Sequence, residues 1–95
     1  MISLKTVAVE VTIFGRVQGV GYRYFCARVA RELGLTGWVK NNHNDSVSAW
    51  LEGDKSVVES AIAELRLGPS SAHVIEVKVS ERDPKGQFQS FEISH

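Results

Sequence analysis

Residues 14 to 25 read Phe14-Gly15-Arg16-Val17-Gln18-Gly19-Val20-Gly21-Tyr22-Arg23-Tyr24-Phe25. Period-2 alternation runs up to this stretch and a helical stripe leads away from it, so it is a strand-to-helix turn. Gly15, Gly19 and Gly21 fall within it, and Arg16 and Arg23 flank them. Glycine tolerates positive φ and, lacking a Cβ, lets other groups approach its amide. A glycine-rich turn feeding a helix N-terminus therefore gathers unpaired N–H donors where the helix dipole adds partial positive charge. Arg23 falls in the first helical turn, where that dipole disfavours a cation. A bound anion reverses the penalty, and a guanidinium fork matches phosphate or carboxylate oxygens. The stretch reads as an oxyanion cradle. A tight connection with a surface arginine is the competing reading at this point.

Both common nucleotide loops are excluded. GxGxxG needs a glycine where Tyr24 stands, and no Gly-Lys-Ser/Thr follows. The single cysteine, Cys26, comes after the arginine on the helix, which is the wrong order for a cysteine phosphatase loop. The anion is held without an obvious covalent nucleophile.

Working outward, residues 5 to 14 place Val7, Val9, Val11 and Ile13 on one face. Thr6, Ala8, Glu10 and Thr12 take the other, so this is a strand with one buried face. After the cradle, Tyr22, Phe25, Cys26, Val29, Ala30 and Leu33 form one apolar helical stripe, and Gly34 fits the C′ position that ends it. Thr36–Asn42 and Ser46–Gly53 read as a hairpin joined by the polar turn Asn42-His43-Asn44-Asp45. The second arm alternates Val47, Ala49 and Leu51 against Ser48, Trp50 and Glu52. Asp54 is a candidate N-cap for a second helix with the stripe Val58, Ala61, Ile62 and Leu65, stopped by Gly68-Pro69. A fourth strand follows, with His73, Ile75, Val77 and Val79 alternating against Val74, Glu76 and Lys78. Asp83-Pro84-Lys85-Gly86 turns the chain into a last, edge strand over Phe88–Ser94.

The order β-α-β-β-α-β plus a terminal strand, with one-faced strands and amphipathic helices, predicts an α+β two-layer sandwich. Both helices cover one face of a mostly antiparallel sheet, the ferredoxin-like solution. A helix crosses over between strands one and two, so they run parallel and end at one edge of the sheet. That brings Asn41 toward the cradle.

Ninety-five residues suffice for one domain, here taken as residues 1–95. Formal net charge is zero, which removes a global field for nucleic acid or membrane and makes any anion binding local. One cysteine leaves no internal disulfide and fits a reducing compartment. The N-terminus shows no apolar leader and no long apolar run occurs, so a cytoplasmic protein without membrane partners is expected. Three scattered histidines and one cysteine give no metal-ligand spacing.

Gly15-Arg16-Val17-Gln18-Gly19-Val20-Gly21-Tyr22-Arg23 closely resembles the signature loop of the acylphosphatases, small enzymes that hydrolyse acyl phosphates. Gly37-Trp38-Val39-Lys40-Asn41 resembles that family's Gly-Trp-Val-basic-Asn strand. Ser46-Val47, Glu52-Gly53, Gly68-Pro69 and Phe91-Glu92-Ile93 also match in order, so the resemblance covers essentially the whole chain. It implies a ferredoxin-like fold and a monomeric hydrolase of the carboxyl-phosphate bond, with no metal and no cofactor. The substrate would be a small acyl phosphate and inorganic phosphate the product. Arg23 matches the family's phosphate-binding arginine and Asn41 the asparagine that orients the attacking water. The loop from Gly15 through Arg16, Val17, Gln18, Gly19, Val20, Gly21 and Tyr22 to Arg23 would hold the phosphate.

Three departures stand out. Lys40 replaces the usual arginine, Tyr22 replaces phenylalanine, and the hairpin lacks the Asp-Gly turn that the family favours. A second reading is a non-catalytic module binding phosphate or carbamoyl phosphate, of the kind such domains form inside larger maturation proteins. A third, a base-stacking sheet built on Trp38 and Trp50, lacks the aromatic-rich pattern and basic surplus it needs. His43 reads as a solvated turn residue, His73 and His95 as structural or terminal, and Cys26 as buried.

Overall fold

The computed structural model describes residues 5–95. The leading part of the N-terminal reading, residues 1–4, lies outside them. Five strands and two helices follow in the order β1 (Thr6–Arg16), α1 (Tyr22–Glu32), β2 (Thr36–Asn41), β3 (Val47–Asp54), α2 (Lys55–Leu67), β4 (His73–Arg82) and β5 (Phe91–Ile93). The strands form one sheet ordered β4-β1-β3-β2-β5. β1 pairs antiparallel with β3 and β4, β2 antiparallel with β3, and β5 parallel with β2. This is the expected ferredoxin-like α+β sandwich with β5 at an edge.

The alternation in β1 buries Val9, Val11 and Ile13 against both helices. Val39, Val47, Ala49 and Leu51 come from neighbouring strands, and Tyr22, Cys26, Val29, Val58, Ala61 and Leu65 from the helices. Each large apolar side chain so buried contributes about 1.5–3 kcal/mol. Gly34 ends α1 at φ 73°, with the Leu35 N–H on the Ala30 carbonyl (2.9 Å) and the Gly34 N–H on Arg31 (3.2 Å). Leu33, expected on the buried stripe, is instead the exposed C-cap. Asp54 caps α2 by accepting from the Ser56 N–H at 3.0 Å.

Three further local readings need correction. Strict alternation puts Ile75 on the core face of β4, but it is 73% exposed. Phe14 pairs with Glu76 while Gly15 pairs with Val74, so Ile75 is an extra residue bulged out of the ladder. The phase of the strand reverses there, and Val74 with Val77 packs against the core. Gly15 permits the close approach at the bulge: a Cβ on it would stand 2.1 Å from the His73 carbonyl oxygen.

The last strand begins at Phe91 rather than Phe88. β4 and β5 lie at opposite edges, so residues 83–90 must cross the sheet face that carries no helix. Phe88 is used there, its ring 6.1 Å from that of Trp50. Beneath the crossing segment Ser48, Trp50 and Glu52 are buried, although alternation places them on the open face. Glu52 accepts from Trp50 Nε1 (2.9 Å), the Lys85 N–H (3.1 Å) and the Gly86 N–H (2.8 Å), so its carboxylate ties the segment down.

The third correction concerns the hairpin. Without glycine the turn still closes, because Asp45 itself adopts φ 70°. Asn42 Nδ2 donates to Ser46 Oγ (2.9 Å) and Ser48 Oγ (2.7 Å), and Asn44 Oδ1 accepts from the Ser46 N–H (3.2 Å). The strand β2 then stops at Asn41.

Candidate active site

β1 and β2 both run antiparallel to β3, so they are parallel to each other and end on the same side. Val47 faces Ile13 on one flank and Asn41 on the other. Two strand spacings, roughly 10 Å, therefore separate Asn41 from Ile13, three residues before the end of β1. Residues 17–21 fill this interval and lead into α1.

The turn is built from opposed demands on its residues. Val17 is buried in the core and anchors its start. Gly19 and Gly21 take φ 72° and 78°, and a Cβ on either would meet nothing within 4 Å, so both face open space. Gly21 is the N-cap of α1, and the first turn of the helix carries no acidic residue. The turn is braced from outside: Ser71 Oγ donates to the Val20 carbonyl at 2.8 Å, and Gln18 Nε2 donates to the carbonyls of Asn42 and Ser46 at 2.9 Å each.

A pocket of about 180 Å³ opens in front of this turn, lined by Val17, Gly19, Gly21, Tyr22, Arg23, Tyr24 and Asn41. A second, of about 270 Å³, adjoins it and is lined by Arg23, Lys40, Asn41, Ser94 and His95. Arg23 and Asn41 belong to both. A cleft of about 400 Å³ lies at the far end of the sheet, between α2, the start of β1 and the end of β4; Lys5, Lys55 and Arg82 are in its lining, which contains no glycine.

Arg23, half-buried on the first turn of α1, donates through Nη1 to the Ser94 carbonyl at 2.9 Å. His95 Nδ1 lies 3.5 Å from the same nitrogen. Among the described residues no carboxylate stands within 4.0 Å of it in an ion pair. Its remaining donors are available to an anion. Lys40 Nζ rests 5.2 Å from the Trp38 ring centroid, which holds a second cation at the rim.

Of the sequence-predicted set, Val17, Gly19, Gly21, Tyr22, Arg23 and Asn41 meet at the pocket. Gly15 and Arg16 pair with Val74 and His73 in the ladder with β4, and the Gln18 carboxamide is turned onto the hairpin. The Tyr22 side chain is buried, its hydroxyl donating to the Leu65 carbonyl at 2.8 Å. That explains the hydroxyl where phenylalanine is usual: it satisfies one of the open carbonyls at the end of α2. Burial raises the Tyr22 hydroxyl pKa far above its ordinary range, and proximity to Cys26 adds to the shift. The Cys26 thiol, beside it, is pushed up to about 12 by burial. Sequence reasoning missed Tyr24, Ser94 and His95. Ser94 acts through its main-chain carbonyl, which no side-chain pattern announces.

Among the described residues no group of three or more His, Cys, Asp or Glu is placed to hold a metal ion, and no helix is long and apolar enough to cross a membrane.

The acylphosphatase family model matches residues 9–93. An acylphosphatase of Mesorhizobium japonicum is 49% identical over 74 residues, covering 78% of this chain and 79% of the relative. Among solved structures, the acylphosphatase of Bacillus subtilis superposes with a TM-score of 0.90 at 30% identity, over 94% of this chain and 99% of that one. Full-length HypF in its phosphate- and nucleotide-bound form matches with a TM-score of 0.90 at 32% identity, over 99% of this chain but only 12% of HypF. The strand-turn-helix junction, its pocket and these matches lead to one conclusion: the chain belongs to the acylphosphatase family, enzymes that hydrolyse acyl phosphates.

Proposed function

We propose that the 17–21 turn and Arg23 seat the phosphoryl group of an acyl phosphate and that Asn41 directs the attacking water. The observation that carries this reading is the sharing of both adjoining pockets by Arg23 and Asn41. An anion in the first pocket meets the N-terminus of α1 and the open amides of Gly19 and Gly21. It also cancels the unfavourable placement of Arg23 against the positive helix end.

An acyl phosphate has a good leaving group, so positioning and charge stabilisation outweigh acid-base help. The side-chain oxygen of Asn41 accepts a hydrogen bond from water and aims its lone pair at phosphorus. The new P–O bond forms as the bond to the acyl oxygen breaks, and the carboxylate departs with the electron pair. The proton of the water passes to a phosphoryl oxygen, which leaves inorganic phosphate. Arg23 and the loop amides hold the equatorial oxygens throughout. Every group involved belongs to one chain, so a single copy is the catalytic unit. A cytoplasmic setting suits the buried thiol of Cys26, and the balanced net charge supplies no field to attract nucleic acid.

The alternative, a phosphate- or carbamoyl-phosphate-binding module without turnover, draws on the likeness to a segment of HypF. Turnover separates the two. The purified chain should hydrolyse a generic acyl phosphate with EDTA present, and Asn41→Ala should lower kcat by about 10²-fold or more while phosphate affinity stays within a few-fold. Phosphate binding without turnover in the parent chain would favour the module. Loss of phosphate binding in Asn41→Ala would make Asn41 a support of the loop.

A further inference from the structure

Val20 stands between Gly19 and Gly21 in the turn, and its carbonyl accepts from Ser71 Oγ at 2.8 Å. Ser71 belongs to the connection between α2 and β4, which the Ala72 N–H closes by donating to the Pro69 carbonyl at 3.1 Å. Sheet order gives the Ser71 bond a direction. β4 lies on one flank of β1, while β3 and β2 lie on the other, so Ser71 approaches the turn from the side opposite Asn41. It lines neither of the two pockets that Arg23 and Asn41 share.

A trans peptide group carries its C=O and N–H on opposite sides, and no cis bond occurs among the described residues. Drawing the Val20 carbonyl toward the β4 flank therefore turns the Gly21 N–H toward the pocket, whose lining includes Gly21 and Asn41. That N–H is one of the group at the head of α1 with no partner inside the helix. The ends of this peptide are fixed, because the Val20 side chain packs against the core and Gly21 is the N-cap of α1. Its plane is not fixed by them. Rotation of the plane is taken up by ψ of Val20 and φ of Gly21, and Gly21 sits at φ 78°. Glycine accepts negative φ about as readily, so the backbone alone does not choose between the two orientations. The Ser71 hydroxyl does.

We infer that Ser71 is a positioning residue for the reaction: its hydroxyl locks the Val20–Gly21 peptide in the orientation that aims the Gly21 N–H at the phosphoryl oxygens. The inference rests on the phosphate-binding role proposed above for the 17–21 turn. Ser71 stands outside the pocket and acts only through this peptide. Without the hydroxyl the plane also takes its flipped orientation, in which a carbonyl oxygen faces the anion. That oxygen repels a phosphoryl group in the ground state and in the transition state alike, so phosphate affinity and turnover fall together. Asn41→Ala has the contrasting signature, with kcat lowered and phosphate affinity kept.

Ser71→Ala and Ser71→Thr test this through hydrolysis of a generic acyl phosphate, inhibition by inorganic phosphate, and the amide NMR signal of Gly21 at saturating phosphate. Ser71 is exposed, so both variants should fold, which circular dichroism checks. In the parent, phosphate should move the Gly21 amide proton downfield as the N–H donates to it. Ser71→Ala should lose most of that movement, raise the inhibition constant of phosphate by about tenfold and lower kcat by about tenfold, less than outright removal of an oxyanion donor costs. Ser71→Thr keeps the hydroxyl and should restore all three. A Ser71→Ala variant that binds phosphate and turns over like the parent overturns the inference and leaves the phosphate site standing. So does one that loses kcat while its Gly21 signal still moves in full, or a Ser71→Thr variant that rescues nothing. A parent whose Gly21 amide ignores saturating phosphate removes the site itself, and the inference with it.

Discussion

The Gln18 carboxamide reaches across the fold to the backbone carbonyl of Asn42, donating at 2.9 Å, and makes an equal bond to Ser46. Asn42 directly follows Asn41, so the turn that would hold phosphate is fastened to the strand end that would hold water. The sheet sets the spacing between these two segments, and one side chain ties them together.

Gln18→Ala should lower stability by about 1–2 kcal/mol, since two hydrogen bonds of about 1 kcal/mol each are removed. It should lower kcat by about tenfold, a separate consequence of loosened geometry. Thermal unfolding and steady-state kinetics on the same preparation check both. Unchanged kcat with reduced stability would leave Gln18 a structural tie only.

Inorganic phosphate should inhibit competitively and raise the melting temperature through Arg23. A ligand that binds only the folded state stabilises by RT ln(1 + [L]/Kd), about 1.4 kcal/mol at roughly tenfold its dissociation constant. For a domain of this size that is about 5–10 °C. Arg23→Gln should nearly abolish the rise. Its unliganded stability should change by less than about 1 kcal/mol, because losing the bond to Ser94 is offset by removing a cation from the positive helix end. Arg16→Gln should keep most of the rise, as Arg16 is exposed on the β1–β4 ladder. An equal phosphate shift in the Arg23 variant would remove this residue from the anion site.

What could be read from the chain followed from local periodicity. β1, both helices, their caps and the hairpin announce themselves because each buries one face at its own repeat. The bulge at Ile75 escaped because Val and Ile continue to alternate in sequence while the pairing slips by one residue. Trp50 and Glu52 escaped because their burial depends on strand order. Only a sheet with β4 and β5 at opposite edges sends residues 83–90 across that face. The approach of Asn41 to the cradle was legible through the crossover between parallel strands. The grip of Ser94 on Arg23 was not, because a main-chain carbonyl carries no residue signature.

Cys26 should resist alkylation in the folded protein. Burial holds its pKa at about 12 against 9.0 for an ordinary thiol, so its thiolate fraction near neutral pH falls by about 10³-fold. Steric closure slows the reaction further, and initial activity should survive the reagent. Mass-spectrometric labelling rates with and without urea measure this. Rapid native labelling that abolishes turnover would restore a thiol mechanism.

Glu52 makes the stability of the fold sensitive to acid. Burial by itself disfavours its charged form. Hydrogen bonds from Trp50 Nε1 and the amides of Gly86 and Lys85, with the Lys85 charge, outweigh burial and hold the carboxyl below its usual 4.5. A carboxyl with a lowered folded-state pKa stabilises fully above its unfolded value and loses that contribution as pH falls through the folded one. Glu52→Gln keeps the shape but can accept through one oxygen only, and should cost about 2 kcal/mol near neutral pH. Below pH 4.5 the parent should weaken toward the variant, because its carboxyl protonates as the chain unfolds. Urea midpoints of both proteins from neutral pH down to about pH 3 give the difference directly. A gap of constant size across that range would mean that Glu52 acts through packing beneath the 83–90 segment rather than through its charge.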